Sequence, residues 1–237
     1  MYGRERLLVA IDTSTANASL ALFQNGEVVA ELSWRSSLNH SVELLPSLDN
    51  LLCRAGWKIG DLKAIVVARG PGSYNGLRVG LATAKGLAFG LGIPLVGVST
   101  LEVMAYPWSA TGLPVCALLG AGRGEVAAAR FRTVAGQWTT TEDEHITSLS
   151  AVCAATAERT VFCGELNDEM SKEITERLGD LAVLPSAAAR LRRAAYLAEL
   201  GQARLDRGEA DPVAALEPHY LRKPPITMPK VSLKKGS

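Results

Sequence analysis

The sequence predicts an α/β protein with two lobes, each a mixed β-sheet covered by helices. Three observations support this fold class. Short apolar runs typical of buried strands alternate with segments whose apolar residues recur every three or four positions, as on one face of a helix. Asn25-Gly26, between two strand-like runs, predicts a tight β-hairpin. The order of elements in the first half is repeated, less regularly, in the second half.

The first half opens with three strands and continues with alternating helices and strands. Leu44, Leu48, Leu51 and Ala55 are spaced four, three and four residues apart, which marks one face of a helix. Pro46 is expected to begin or kink this helix. The predicted elements are strands at 7–11, 19–23 and 27–34, a helix at 40–55, a strand at 64–68, a helix at 77–91, a strand at 94–98 and a helix at 101–106.

The second half follows the same plan with shorter elements. The predicted elements are strands at 115–119 and 125–132, a third strand near 137–141, a strand at 161–163 and helices near 169–178 and 187–205. A duplicated plan of this kind resembles the actin, sugar kinase and Hsp70 (ASKHA) superfamily. We expect an N-terminal lobe at residues 1–106, a smaller and degenerate C-terminal lobe at 107–221, and a disordered basic tail at 222–237 that contains no acidic residue.

The composition is that of a folded soluble protein. The 237 residues are 48% hydrophobic and 21% charged, enough to bury a sizeable core. A formal net charge of +1 gives no overall field that would draw the protein onto nucleic acid or a membrane, so we expect RNA contact only locally or through a partner. The four cysteines form no CxxC pair, and we interpret them as buried free thiols of a cytoplasmic protein. The longest apolar stretch, 77–93, is too short and too interrupted by charge and glycine to predict a membrane span.

The turn after the first strand could hold a phosphate. Asp12, Thr13 and Ser14 place hydroxyl and backbone N–H groups at the end of a buried strand. An Asx or Ser/Thr turn that only reverses the chain explains the same residues, and taken alone it is the better explanation.

A second candidate turn joins the strand at 64–68 to the helix at 77–91. Backbone N–H groups and the helix dipole favour an anion at such a position. The segment lacks the Gly-Lys-Ser/Thr end of a P-loop, and Asn75 replaces a glycine of the dinucleotide fingerprint, so a nicotinamide dehydrogenase is a poor match. The candidate residues of this turn are Gly70, Gly72, Ser73 and Gly76.

The helix at 77–91 is apolar or small on nearly every face, which is unusual for a solvated helix. Its glycine and alanine strips allow another helix to approach closely. Burial in its own lobe and a partner interface both explain this pattern. On the interface hypothesis, Ala84→Arg would abolish the complex and leave the fold intact. The predicted interface residues on the two helices are Leu44, Leu48, Leu51, Leu77, Gly80, Leu81, Ala84 and Ala88.

The sequence contains no recognisable catalytic constellation. The three histidines have neither HxxxH nor HExxH spacing, and no GxSxG elbow occurs. We therefore predict no catalytic residue and no metal ligand.

Three segments resemble the TsaB (YeaZ) family, the inactive paralogue of the TsaD-type threonylcarbamoyl transferase. They are residues 9–22 (VAIDTSTANASLAL), 69–102 (RGPGSYNGLRVGLATAKGLAFGLGIPLVGVSTLE) and 219–224 (HYLRKP). In the catalytic relative an HxxxH pair binds metal, and the same register here gives Thr100 and Met104, neither a plausible ligand. A third ligand position falls near Ala187. The resemblance thus implies that the two phosphate-type turns are degenerate and that the metal site is lost.

The resemblance also implies a function and partners. The chain would be a non-catalytic subunit that supports transfer of threonylcarbamoyl to N6 of the adenosine next to the anticodon in tRNAs reading ANN codons. Its partners would be a TsaD-type transferase subunit and a TsaE-type ATPase, with tRNA contacted only through the complex. ATP would be used by the complex, and no cofactor of its own is implied; the resemblance leaves open whether the two degenerate turns still hold a nucleotide. The alternatives are an ATP-dependent kinase of the same fold and a homodimeric binding or regulatory protein.

Overall fold

The computed structural model describes residues 6–36 and 39–222, and these form two five-stranded sheets with helices on their faces. The first sheet consists of β1 (Leu8–Asp12), β2 (Asn17–Gln24), β3 (Glu27–Arg35), β4 (Ala64–Gly70) and β5 (Leu95–Ser99). The second consists of β6 (Val115–Gly122), β7 (Glu125–Val134), β8 (Gln137–Ser148), β9 (Thr160–Gly164) and β10 (Ala182–Val183).

The two sheets have the same topology. The first has the order β3-β2-β1-β4-β5 and the second the corresponding order β8-β7-β6-β9-β10. In each, the first three strands are antiparallel neighbours and the last two run parallel to the first. Asn25 and Gly26 have φ of 56° and 84°, the two positive values that a type I′ hairpin turn requires. The predicted duplication and the predicted hairpin are both confirmed.

Helices cover both faces of the first sheet because its central strands are apolar on both sides. Val9 and Ile11 of β1 face one layer, and the intervening Leu8 and Ala10 face the other. The helices are α1 (His40–Arg54), α2 (Tyr74–Leu91), α3 (Thr100–Ala105), α4 (Leu149–Ala154), α5 (Asp168–Leu178) and α6 (Ala194–Asp206). α1 and α2 pack on the Val9 side, and α6 packs on the Leu8 side.

The structure differs from the sequence predictions in several elements. α1 begins at His40 as predicted, and Pro46 lies inside the helix, which excludes the alternative that Pro46 begins it. β8 extends to Ser148, seven residues beyond the predicted 137–141, because it pairs with β7 along almost its whole length. α4 was not predicted. The helix expected at 187–205 begins only at Ala194, because residues 187–190 form a turn and the next three have no regular structure.

The final helix does not belong to the lobe in which the sequence analysis placed it. α6 falls in the predicted C-terminal lobe, 107–221, yet it packs on β1 and β2 of the first sheet. Its Gly201 allows this close approach, since a Cβ there would lie 2.3 Å from a methyl group of Val66. Arg222, the first residue of the predicted tail, pairs with Glu125. The rest of that tail, 223–237, lies outside the described residues.

Candidate functional site: the junction between the two sheets

The two predicted phosphate-type turns pack directly against each other. Glycines of the 70–76 loop and of α2 touch the backbone and side chain of the turn after β1. A Cβ on Gly72 would lie 2.2 Å from the carbonyl oxygen of Ser14, and one on Gly76 would lie 2.1 Å from that of Thr13. A Cβ on Gly80 would lie 2.3 Å from Thr13 Oγ1. These glycines are therefore required for close packing of the chain on itself.

Several donors of these turns are used within the protein. Thr13 Oγ1 donates to the carbonyl oxygen of Gly76 at 2.7 Å, and the backbone N–H of Ser73 donates to that of Ser14 at 2.6 Å. Ser14 donates from both its backbone N–H and its hydroxyl to Asp12 Oδ1, at 2.9 and 2.7 Å. Hydroxyl and N–H groups that the sequence assigned to a phosphate thus already have acceptors.

Residues 219–222 lie across the 70–76 loop. The backbone N–H of His219 donates to the carbonyl oxygen of Arg69 at 2.7 Å, and the Tyr220 ring lies 5.2 Å from that of Tyr74. A Cβ on Gly70 would lie only 2.6 Å from the His219 carbonyl oxygen. Between this segment, the loop and strands β6, β7 and β8 is a cavity of about 110 Å³. Pockets for drug-sized ligands occupy roughly 300 to 1,000 Å³, so this cavity is too small for a nucleotide.

A buried arginine occupies the junction next to these turns. The side chain of Arg192 is 2% exposed and its Nε donates to Asp12 Oδ2 at 2.5 Å. Its Nη1 donates to Glu165 Oε1 at 3.2 Å, and its Nη2 donates to Thr15 Oγ1 at 3.0 Å and to the carbonyl oxygen of Asn17 at 2.7 Å. We call Asp12, Thr15, Asn17, Glu165 and Arg192 the Arg192 cluster.

The net charge of the Arg192 cluster is negative, whereas a phosphate site needs positive charge. Asp12 is fully buried and Glu165 is partly exposed, so two carboxylates converge on one guanidinium. A phosphate placed here would meet net negative charge and would have to displace an arginine that already donates four hydrogen bonds. Asp12 is also unsuited to act as a general base, because its carboxylate is fully buried and paired with Arg192, out of reach of a substrate.

Sequence reasoning found Asp12 but missed Glu165 and Arg192. Both lie far along the chain, 153 and 180 residues after Asp12, as their numbers show. The one available signal was an Arg-Arg pair before an apolar helix, which equally fits a solvated helix start. Arg193 behaves in that ordinary way, since it is half exposed and pairs with Glu31.

The predicted interface residues on α1 and α2 face the protein's own core, so that prediction was wrong for these side chains. Their apolar spacing reflects packing on the first sheet, where Leu48 and Ala84 have no exposed surface. All eight are buried: Leu44, Leu48, Leu51, Leu77, Gly80, Leu81, Ala84 and Ala88.

Other apolar residues of the same helices point outward. Val42 and Leu45 of α1 are 68% and 49% exposed, and Phe89 of α2 is 85% exposed. Ala82 is exposed too, and it lines a cleft of about 510 Å³ at the start of the two helices. We call Val42, Leu45, Ala82 and Phe89 the outer face of α1 and α2. These side chains lie on two helices that contact each other, and exposed large apolar side chains on neighbouring elements are a feature of interaction sites.

Thr100 and Met104 lie one turn apart on α3 and are both buried. Met104 packs in the core beneath the second sheet. Ala187 is exposed in the turn before α6. Within residues 6–36 and 39–222, no group of three or more His, Cys, Asp or Glu side chains is arranged to hold a metal ion. The loss of an ancestral metal site stays a prediction.

A second polar cluster lies where β5 and α3 approach β8. Ser99 donates to Glu144, and His219 Nε2 lies 3.0 Å from the other oxygen of Glu144. Burial raises the pKa of the neighbouring Glu102 carboxyl, and the charge of Glu144 raises it further. Both glutamates line a cleft of about 310 Å³. The sequence analysis did not identify this cluster, because its members come from separate elements.

The cysteines are only partly as expected. Cys116, Cys153 and Cys163 are buried, and burial raises the pKa of the Cys116 thiol to about 12. Such a thiol is inert as a nucleophile near neutral pH. Cys53 is exposed at the end of α1, contrary to the expectation. Among the described residues, no helix combines the length and the apolarity needed to cross a membrane.

Comparison with known proteins first defines the fold class. The chain matches the structure of ethanolamine utilization protein EutJ from Carboxydothermus hydrogenoformans with a TM-score of 0.50 at 14% identity, over 81% of this chain and 88% of that one. This similarity is one of fold alone. Together with the duplicated sheets, it gives the chain the fold class of actin, sugar kinases and Hsp70.

The family follows from closer relatives. Residues 27–228 match the family model "TsaD: tRNA N6-adenosine threonylcarbamoyltransferase". The chain is 32% identical over 218 residues to the tRNA threonylcarbamoyladenosine biosynthesis protein TsaB of Bacillus subtilis (strain 168). The aligned region covers 91% of this chain and 93% of that protein. The solved structure of YeaZ from Pseudomonas aeruginosa matches with a TM-score of 0.77 and 26% identity, over 91% of this chain and 100% of that one. The chain belongs to the TsaB family, within the wider group that the transferase model describes.

Proposed function

We propose that this chain is a non-catalytic subunit in the biosynthesis of threonylcarbamoyladenosine in tRNA. It binds and supports a TsaD-type transferase, which adds threonylcarbamoyl to N6 of the adenosine next to the anticodon in tRNAs reading ANN codons. A TsaE-type ATPase is the third member, and tRNA is reached through the complex. The proposal rests on the family membership and on the outer face of α1 and α2.

The outer face is the observation that carries the partner role. Phe89 exposes 85% of its surface and Val42 exposes 68%. Fully burying an aromatic or branched aliphatic side chain is worth about 1.5 to 3 kcal/mol, so a surface that keeps several in water is best explained by a partner that covers them.

The junction between the sheets supports a role without chemistry of its own. The turns after β1 and before α2 bond to each other, and Ser14 and Arg192 donate to the two oxygens of Asp12. A transferase or kinase needs a polar group free to meet its substrate. We propose accordingly that the chain holds no nucleotide of its own and that ATP is used elsewhere in the complex. A sensitive ATPase assay on the purified chain that detects turnover above background would contradict this and favour the kinase alternative.

The interface is tested by Phe89→Ser. If Phe89 is buried on binding, losing 85% of about 1.5 to 3 kcal/mol weakens the transferase complex roughly ten- to seventyfold. Val134→Ser is the matched control, because Val134 is 51% exposed on the hairpin between β7 and β8, away from both helices. Affinity for the transferase is measured by titration calorimetry. Equal affinities for the two variants would contradict the proposed interface.

The same outer face also fits a second copy of this chain. Analytical ultracentrifugation of the chain alone, and then with an equimolar transferase subunit, separates the two interactions. We expect any homodimer to be replaced by the heterodimer. A homodimer that persists, with no heterodimer at micromolar concentration, would favour the homodimeric alternative.

A further inference from the structure

The Arg192 cluster has the composition of a cation site. Its ligands are two carboxylates, a hydroxyl and a backbone carbonyl, all acceptors directed at one guanidinium. Arg192 donates from all three of its nitrogens to four acceptors. A guanidinium presents its donors in a rigid planar fork, whereas an ammonium is a point charge and cannot reproduce such an arrangement.

The acceptors come from both sheets. Asp12 ends β1 and Asn17 begins β2 in the first sheet, whereas Glu165 directly follows β9 in the second. Thr15 Oγ1 also donates to Glu165 Oε1 at 2.5 Å, so the sheets touch here even without the arginine. Arg192 itself lies in the segment that leads from the second sheet back to α6. The guanidinium thus joins three parts of the chain that are distant in sequence.

The backbone conformation before α6 places the side chain of Arg192 in the junction. Residues 187–190 have the alanine content of a helix but form a turn, and Arg193 is extended, with φ −115° and ψ 132°. Alanine strongly favours helix. The break before α6 is therefore imposed by tertiary contacts, of which the bonds of Arg192 are the most buried.

We infer that Asp12, Thr15, Asn17 and Glu165 form a guanidinium site that the chain fills with its own Arg192, and that this internal cation fixes the two sheets to each other. The site occupies the position at which the sequence suggested a phosphate. The group that occupies it is the positively charged side chain of Arg192. The protein therefore fills the junction with one of its own residues. The inference does not depend on the proposed partner role.

Arg192→Ala with chemical rescue tests the site. Removing one partner of a buried ion pair leaves the other charges unpaired, and for a chain of this size we expect the melting temperature to fall by roughly 6 to 20 °C. Millimolar guanidinium chloride should restore part of that loss in a saturable manner, because the emptied site can bind the free ion. Sodium chloride at equal concentration is the ionic-strength control.

Arg193→Ala is the matched variant. It removes the same charge from the neighbouring residue, whose side chain is 48% exposed, so its melting temperature should change little and should not rise with guanidinium. Magnesium chloride forms a second arm, and we expect it to rescue less than guanidinium because a point charge cannot replace the planar fork. An Arg192→Ala melting temperature equal to that of Arg193→Ala, no rescue by guanidinium beyond that of sodium chloride, or rescue by magnesium alone would overturn the inference.

Arg192→Lys keeps the test decisive if the alanine variant cannot be recovered folded. Lysine retains one charge but lacks the fork, so this variant should fold and melt below the wild type. A melting temperature equal to that of the wild type would show that the four-acceptor geometry is not used, and the inference would fail.

Discussion

Arginine substitution at two neighbouring alanines of α2 separates packing from partner binding. Ala84 has no exposed surface and packs with Leu48 and Leu81, whereas Ala82, half a turn away, is exposed on the outer face. The sequence analysis expected Ala84→Arg to leave the fold intact. The structure predicts the opposite, because the arginine would enter a filled core.

The magnitudes differ strongly between the two sites. At Ala84 the larger side chain overpacks the core, at about 1 to 3 kcal/mol, and buries an unpaired charge, at several kcal/mol more. The sum approaches the 5 to 15 kcal/mol that typically separates folded from unfolded protein, so we expect an unfolded or aggregated variant. Ala82→Arg should change stability by no more than about 0.5 kcal/mol, as surface substitutions do. It should instead weaken the transferase complex at least tenfold, because it places an unpaired charge in an apolar contact.

Thermal unfolding followed by circular dichroism, and then titration with the transferase subunit, gives both readouts. The reasoning would be refuted if Ala84→Arg melted like the wild type while losing partner binding. That result would mean that α2 presents its Ala84 side to the partner, as the sequence analysis first proposed.

Two further predictions concern stability. Gly76→Ala should destabilise by about 1 to 3 kcal/mol, since its Cβ would lie 2.1 Å from the Thr13 carbonyl oxygen, whereas Gly86→Ala in the same helix meets nothing within 4 Å and should stabilise by roughly 0.5 to 1 kcal/mol. Urea unfolding of both variants checks this, and a change of the same sign in both would contradict it. Glu102→Gln should raise the melting temperature at pH 7 to 8 and have little effect near pH 4. Because the folded pKa of Glu102 is raised, its native carboxyl retains a proton that the unfolded chain loses, and stability falls as pH rises above the unfolded value of about 4.5. A melting-temperature difference that is independent of pH would contradict this.

Much of the fold could be predicted because its signals are local. The Asn25-Gly26 turn and the apolar runs of β1 and β4 depend on residues close in sequence, and the repeated order of elements predicts the second sheet. The start of α6 could not be predicted in this way. Its helix-forming alanines at 187–189 are overridden by contacts that Arg192 makes across the chain.

The orientation of α2 shows why sequence alone does not reveal which face of a helix is buried when all its faces are apolar. Spacing marked a strip of small residues that includes Gly80 and Ala84, but a strip that packs on its own sheet and one that binds a partner look the same in sequence. The informative residue is Phe89, a large aromatic that the structure leaves 85% exposed. Exposure depends on the whole tertiary structure, and no spacing rule reports it.

Only part of the candidate site could be predicted, again because contacts between distant residues leave no pattern in the sequence. The turn at Asp12 and the loop at Gly70–Gly76 were found because their residue types are distinctive in sequence. That they bond to each other, and that Arg192 fills the junction, depends on contacts over 60 to 180 residues of separation. The glycines were correctly identified as special, but the structure gives them a packing role.

Reconstitution with the TsaD-type and TsaE-type partners, scored by the amount of threonylcarbamoyladenosine formed in tRNA, tests the central claim most directly. We expect modification only when this chain is present, no activity from the chain alone, and full activity from an Asp12→Asn variant that remains folded. Modification that is unaffected by omitting the chain would contradict the supporting role. Loss of activity with a folded, complex-forming Asp12→Asn variant would contradict the claim that the chain does no chemistry.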